Sequence, residues 1–244
     1  LLMDKEIIFG IVGGLGLFIY GIRLMGEGLQ RAAGDRLRSI LKFLTTNPIK
    51  GAFVGIGITA LIQSSSATTV MVVGFVNAGL MTLKQSLGVI FGANIGTTVT
   101  GQIVAFKLTH YALPAIGIGF FLNFFMKRRV WKNLGLFIFG FGLLFLGFNI
   151  MSSVVKPFAQ SEAARHFFVN FSQNPLMGVL VGMGVTCVAQ SSSATVGLVI
   201  TLASVGLIDL NSAIPLILGD NIGTCITAVI ALSLIHISEP TRPY

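Results

Sequence analysis

Residues 47–100 read NPIKGAFVGIGITALIQSSSATTVMVVGFVNAGLMTLKQSLGVIFGANIGTTVT, and residues 174–227 read NPLMGVLVGMGVTCVAQSSSATVGLVITLASVGLIDLNSAIPLILGDNIGTCIT. Asn47 and Asn174, Gln63 and Gln190, and Asn94 and Asn221 each stand 127 positions apart. A register that holds without a gap over both windows marks one structural unit occurring twice. A looser match of Gly21-Ile22-Arg23-Leu24-Met25 with Gly147-Phe148-Asn149-Ile150-Met151, at an offset of 126, extends the unit upstream. The two copies cover roughly residues 7–106 and 134–230. The chain then divides into a first repeat (1–106), a connecting span and loop (107–133), a second repeat (134–230) and a tail (231–244). Within the tail, LSLIHISEPTRPY breaks the apolar pattern and resembles a translated sequencing-library adapter, so it is read as non-native and set aside.

Hydrophobic residues make up 54% of the chain and charged ones only 10%, against about 25% charged in soluble domains. The main solvent is therefore lipid. Crossing a bilayer as a helix takes about 20 apolar residues, and Ile7–Met25, Ser86–Phe106, Leu108–Met126 and Leu134–Met151 supply such stretches. The first is too long for a signal-peptide core and is preceded by Asp4 and Glu6, so it reads as a retained helix. The net charge of +8 does not point to nucleic acid, because the bases sit in short segments between spans, where they set orientation. Cys187 and Cys225 lie in apolar segments with no metal-ligand spacing and read as small buried residues.

Inside each copy, arms such as Ile49–Ile62 and Ala67–Leu80 are too short to span and meet at a polar tetrad, Gln63-Ser64-Ser65-Ser66 or Gln190-Ser191-Ser192-Ser193. A single helix through both arms would bury that tetrad at mid-depth. Two half-helices meeting at a polar tip, a re-entrant hairpin, fit better, since irregular backbone is tolerated there only beside protein or a wet cavity. Asn47-Pro48 and Asn174-Pro175 are good helix starts, with Asn as the cap and Pro at the first helical position. The more polar segments 28–46 and 153–173 read as interfacial amphipathic helices.

Lys127, Arg128, Arg129 and Lys132 mark the central loop as cytoplasmic. Threading outward from it puts Lys107 and His110 outside and Lys84 inside, so the first hairpin enters from the cytoplasm. Lys156 and Arg165 then fall outside, and the second hairpin enters from that face. The fold class is thus an all-α polytopic membrane protein of two inverted-topology repeats, each with a re-entrant helical hairpin and a broken transmembrane helix. That is the architecture of many secondary transporters.

Serine hydroxyls donate to phosphate oxygens or accept cations, and glutamine adds a carbonyl and an amide. Each tetrad precedes a new half-helix, read as starting at Ala67 or Ala194, whose free N–H groups favour an oxyanion. The plainer reading is that the serines only cap helices and permit close packing. In Gly92-Ala93-Asn94-Ile95-Gly96-Thr97 and Gly219-Asp220-Asn221-Ile222-Gly223-Thr224, glycines flank an asparagine inside an apolar span, where a helix can break. Thr97 and Thr100, like Thr224 and Thr227, share a helix face and offer oxygens to a hard cation, or else bond back to their own helix. Asp220 is an acid at membrane depth, which is costly and usually functional, although a paired acid near the interface is the alternative. Arg23 and Glu27 read as an i,i+4 pair.

With both motifs doubled, the chain resembles the type II sodium-phosphate cotransporter family and its bacterial relatives over about residues 7–230. The resemblance implies sodium-driven import of inorganic phosphate across the inner or plasma membrane by alternating access. It puts phosphate between the hairpin tips, near Ser65, Ser66, Ser192 and Ser193. It maps sodium, the coupling ion and the only metal expected, onto Gln190, Ser191, Thr224 and Thr227, with Gln63, Ser64, Thr97 and Thr100 as a second cluster. Asn94, Asn221 and Asp220 support these sites. The partners expected are then phosphate, sodium, the lipid bilayer and further copies in a homo-oligomer. Bacterial relatives often continue into a soluble C-terminal region, and this chain stops before one.

An intramembrane serine hydrolase would need a base beside a serine, but His110 and His166 fall outside the spans and His236 is in the tail, so no catalytic residue is assigned. A sodium-coupled carrier of another small anion, such as a carboxylate, is the alternative, and a channel comes third.

Overall fold

The computed structural model describes residues 2–33, 47–106, 108–162 and 174–238, with the side chains of 2–4, 227–228 and 231–238 outside the description. Lys107, Arg165, His166 and most of the two expected interfacial segments lie outside the described residues. What is described of those segments continues the preceding helices: α1 (Leu2–Ala33) runs through Gly28, and α6 (Arg129–Ala159) runs through Ser153. Between them come α2 (Pro48–Ile62), α3 (Ser65–Asn77), α4 (Leu83–Ala105), a single 3₁₀ turn (Leu108–Tyr111) and α5 (Ala112–Phe125). The second copy continues with α7 (Pro175–Ala189), α8 (Ser192–Ser204) and α9 (Leu210–Ser238). Four stretches, Lys5–Ala32, Leu83–Ala105, Leu108–Phe125 and Arg129–Ala159, are long and apolar enough to cross a membrane. At 15 residues, α2 and α7 are about 22 Å long, short of the roughly 30 Å hydrocarbon core.

Local chemistry starts these helices as their sequences require. Asn47 accepts from the Ile49 N–H at 2.9 Å and Asn174 from the Met177 N–H at 3.3 Å, each with proline in the first turn. Thr82 opens α4 in a reciprocal capping box with Gln85. At the equivalent place Asp209 caps α9, accepting from the Ser212 N–H at 2.9 Å and from its hydroxyl. These bonds, the hydroxyl's first, hold the Asp209 carboxyl below the usual carboxylate range.

The expected break in the long helices is corrected. Both α4 and α9 run unbroken through Gly92–Thr97 and Gly219–Thr224, because the glycines serve close approach instead. A Cβ on Gly92 would overlap the Ala52 carbonyl oxygen, and one on Gly219 that of Val179. Pro48 meets Gly88, Ala52 meets Gly92 and Ile56 meets Gly96, so α2 and α4 run parallel in backbone contact, as α7 and α9 do. This is the small-residue packing that membrane helices use where no hydrophobic effect joins them. By contrast α1 and α6 run antiparallel: Gly14 meets Gly147, Gly21 meets Gly140 and Gly28 meets Asn133.

Phe18, Ile22, Met25, Val104, Leu144, Phe145, Phe148 and Met151 form the largest core, joining α1, α4 and α6. Across the copies, α3 packs on α9 and α8 on α4. The large apolar residues left outside, such as Phe53 and Phe91 and their counterparts Leu180 and Leu218, form the surface a bilayer covers. Neither cysteine forms a disulfide; Cys187 is half-buried, and Cys225, against expectation, is exposed.

Candidate functional site

At each hairpin tip one residue turns the chain. Gln63 (φ 59°) and Gln190 (φ 51°) take the left-handed conformation, which costs a non-glycine residue about 1–2 kcal/mol, and their N–H groups bond to the Thr59 and Thr186 carbonyls. Ser64 and Ser191 follow as caps, accepting from Ala67 N–H at 3.2 Å and Ala194 N–H at 3.3 Å. The second arms therefore begin at Ser65 and Ser192, two residues before the expected Ala67 and Ala194, because the first serine of each tetrad suffices to cap. Ser65, Ser66, Ser192 and Ser193 occupy the first turn, where helix N–H groups lack intrahelical acceptors.

The structure joins two residues of one expected cation cluster: the Thr100 hydroxyl, 2% exposed, donates to Gln63 Oε1 across 37 positions of chain. The Gln63 amide also donates to the Ala60 carbonyl, and that of Gln190 to the Cys187 carbonyl at 2.6 Å. The Thr227 side chain lies outside the described residues. Thr97 bonds back to the Ala93 carbonyl at 3.2 Å and Thr224 to the Asp220 carbonyl at 2.9 Å; each hydroxyl oxygen keeps lone pairs for a ligand.

The two GxNIGT motifs come together. Asn94 and Thr97 of α4 and Asp220 and Asn221 of α9 line one cavity of about 480 Å³, which Thr98, Gln102 and Val196 help to close. Asp220 is 2% exposed and has a partner the sequence did not reveal, the Thr186 hydroxyl, which donates to its Oδ1 at 2.7 Å. Thr186 lies 2.7 Å from Thr195 across the tip, and Thr59 bonds Thr68 at 3.0 Å in the first copy. The available signal was that both threonines recur at the 127-residue offset. The expected pair forms as well: Arg23 meets Glu27 at 3.2 Å, and Arg31 joins it at 3.0 Å.

Copy two holds an acid where copy one has Ala93, and the consequence is measurable. Thr186→Val leaves the Asp220 oxygen and Thr195 short of a partner, whereas after Thr59→Val the Thr68 hydroxyl keeps its bond to the Ser64 carbonyl at 3.1 Å. Thermal unfolding in detergent should show Thr186→Val the less stable of the two by about 1–3 kcal/mol, the penalty of an unsatisfied buried group. Equal losses would show that Asp220 draws nothing from Thr186.

These features define a helical membrane protein with two hydroxyl-bearing helix breaks and, apart from the serines of those breaks, a cavity where Asn94 and Thr97 of one half meet Asp220 and Asn221 of the other. Its sequence matches the profile of the family described as "Na+/Pi-cotransporter" over residues 17–153 and 150–241, and the chain belongs to that family. It is 32% identical over 214 residues to "Uncharacterized protein YqeW" of Bacillus subtilis, covering 88% of this chain and 69% of that one. To "Putative inorganic phosphate export protein YjbB" of Escherichia coli K12 it is 31% identical over 222 residues, covering 90% of this chain and 40% of the relative. To "Sodium-dependent phosphate transport protein 2A" of Rattus norvegicus it is 38% identical over 97 residues, covering 39% and 15%. The chain thus spans well under half the length of the relatives that carry a phosphate name. No solved structure matches it. The family is one of transporters, not enzymes.

Proposed function

We propose that this chain is a multi-pass, sodium-coupled carrier of the inner or plasma membrane that imports inorganic phosphate by alternating access. The observation that carries the reading is the convergence of Asn94, Thr97, Asp220 and Asn221 from the two repeats on one cavity. In the proposed mechanism Ser65, Ser66, Ser192 and Ser193 donate hydroxyl and first-turn N–H bonds to phosphate held between the tips. Gln190, Ser191, Thr224 and Thr227 supply neutral oxygens to sodium, with Gln63, Ser64, Thr97 and Thr100 as the symmetric set. The Gln63–Thr100 bond supports this, since it marks a point where a tip and a long helix approach closely enough to share an ion. A relative named for sodium-dependent phosphate transport supports coupling. One named for phosphate export bears on direction, which in a reversible carrier follows the gradients.

The test is uptake of radioactive phosphate into liposomes holding the purified chain, with an inward sodium gradient. Saturable uptake that is competed by arsenate but not by sulfate or carboxylates is expected. Uptake indifferent to sodium, or competed best by carboxylates, would reject the reading.

Inverted repeats and re-entrant hairpins belong to the same proposal. The antiparallel run of α1 and α6, the first helices of the two copies, supports inversion; the 15-residue length of α2 and α7 supports hairpins that return to their own side. In a background lacking Cys187 and Cys225, a cysteine at His110 should label from outside with an impermeant maleimide, and one at Arg128 only after permeabilisation. The reverse pattern would overturn the orientation.

A further inference from the structure

Where α1 and α5 end and α6 begins, a cavity of about 510 Å³ is lined by Arg31, Asn123, Arg129, Lys132 and Asn133. Three cations and two amides face it, and no acid is among these lining residues. Arg31 is steadied from one turn below by Glu27 at 3.0 Å. The Asn123 amide donates to the Lys132 carbonyl at 3.0 Å, tying the last turn of α5 to the first of α6. No side chain caps the start of α6, so its first N–H groups and positive dipole end add to the same field. Guanidinium, ammonium and free helix N–H groups together are the chemistry that receives a phosphate oxyanion.

The surroundings say which phosphate. On α5, Phe120, Phe121, Phe124 and Phe125 are all exposed, and Val130 and Trp131 are exposed beside the cationic residues of α6. Phe120 and Phe124 stack at 5.5 Å, and Phe121 and Phe125 lie 4.8 Å apart. A free phosphate ion has no use for an apolar wall next to its site. A phospholipid has, because its headgroup and chains need both surfaces side by side, and basic pockets at the cytoplasmic ends of membrane helices are where anionic headgroups bind. We propose that this cavity holds the phosphate of an anionic phospholipid from the adjacent leaflet, with an acyl chain laid along the phenylalanine face of α5. Since α1 packs on α6 at this end, Gly28 against Asn133 and Phe137, the bound lipid braces three helices at one point. The inference does not depend on what the protein carries.

Trp131 is the chain's only tryptophan, so its fluorescence reports on this place alone. The protein is reconstituted in phosphatidylcholine vesicles containing either brominated phosphatidylglycerol or brominated phosphatidylcholine. Quenching by the brominated phosphatidylglycerol should saturate at low mole fraction and exceed that of its neutral counterpart several-fold. Arg129→Gln and Lys132→Gln should each reduce that preference about fivefold, the effect of removing one cation near an anionic surface. Equal quenching by the two brominated lipids in the unmodified protein would overturn the proposal without any variant having to fold. So would a preference unchanged in both variants, or displacement of the brominated phosphatidylglycerol by millimolar inorganic phosphate, which would make the cavity a free-phosphate site.

Discussion

Leucine at Gly92, in α4, should leave no folded protein, while leucine at Gly57, on an open stretch of α2, should be tolerated. At Gly92 the added Cβ meets the Ala52 carbonyl oxygen, which is backbone and cannot swing aside, and at Gly219 it meets that of Val179. Relief would require α2 to move off α4, or α7 off α9, and with it the tip. That is beyond the 1–3 kcal/mol of ordinary overpacking, in proteins whose whole stability is about 5–15 kcal/mol. Gly57 and its counterpart Gly184 have nothing within 4 Å of an added Cβ, and leucine also favours helix more than glycine does. Gel filtration of detergent extracts should show a monodisperse peak for the Gly57 and Gly184 variants and only aggregate for the Gly92 and Gly219 variants. A folded Gly92→Leu protein would mean that α2 and α4 are not in backbone contact.

Ser192→Ala and Thr224→Val should separate the two ligands in the uptake assay. Removing the Ser192 hydroxyl takes a hydrogen bond from a charged ligand, worth about 1–3 kcal/mol, so phosphate affinity should fall about 5- to 150-fold even at saturating sodium. Valine at 224 keeps the shape of threonine and removes only the oxygen. It should raise the sodium concentration for half-maximal uptake, and saturating sodium should restore most of the phosphate affinity, because coupling between two bound ligands is reciprocal. Wild-type sodium dependence in Thr224→Val would reduce that hydroxyl to its bond with the Asp220 carbonyl and remove the sodium site from the second repeat.

The doubling, the asparagine caps and the interruption at the tetrads were legible because each rests on local chemistry: a register, a capping side chain, a run of hydroxyls between short apolar arms. The fate of Gly92 and Gly96 was not. Glycine signals either freedom or closeness, and only the partner helix decides which; the four-residue spacing of Gly51 and Gly55 against Gly88, Gly92 and Gly96 is the signal of closeness that the sequence carries. Thr59 and Thr186 escaped notice because each sits in an apolar arm, and its partner stands nine positions on, across a turn no periodicity describes. Of the expected site, the grouping of Gln63 with Thr100 rested on the resemblance and the symmetry of the repeat, whereas the meeting of the two GxNIGT motifs was not among the expectations. The partner of Asp220 lay in the third dimension alone.

The crossed packing of α3 on α9 and α8 on α4 sets an order of events on the ribosome. When α8 emerges, α4 is already made. α3 is finished about 130 residues before α9 begins, and at about 5–20 residues per second it waits roughly 7–26 seconds with that face uncovered. The early hairpin thus relies on the insertion machinery for as long as the late helix is missing, and a ribosome that stalls before Leu210 strands the first copy's serines, not the second's.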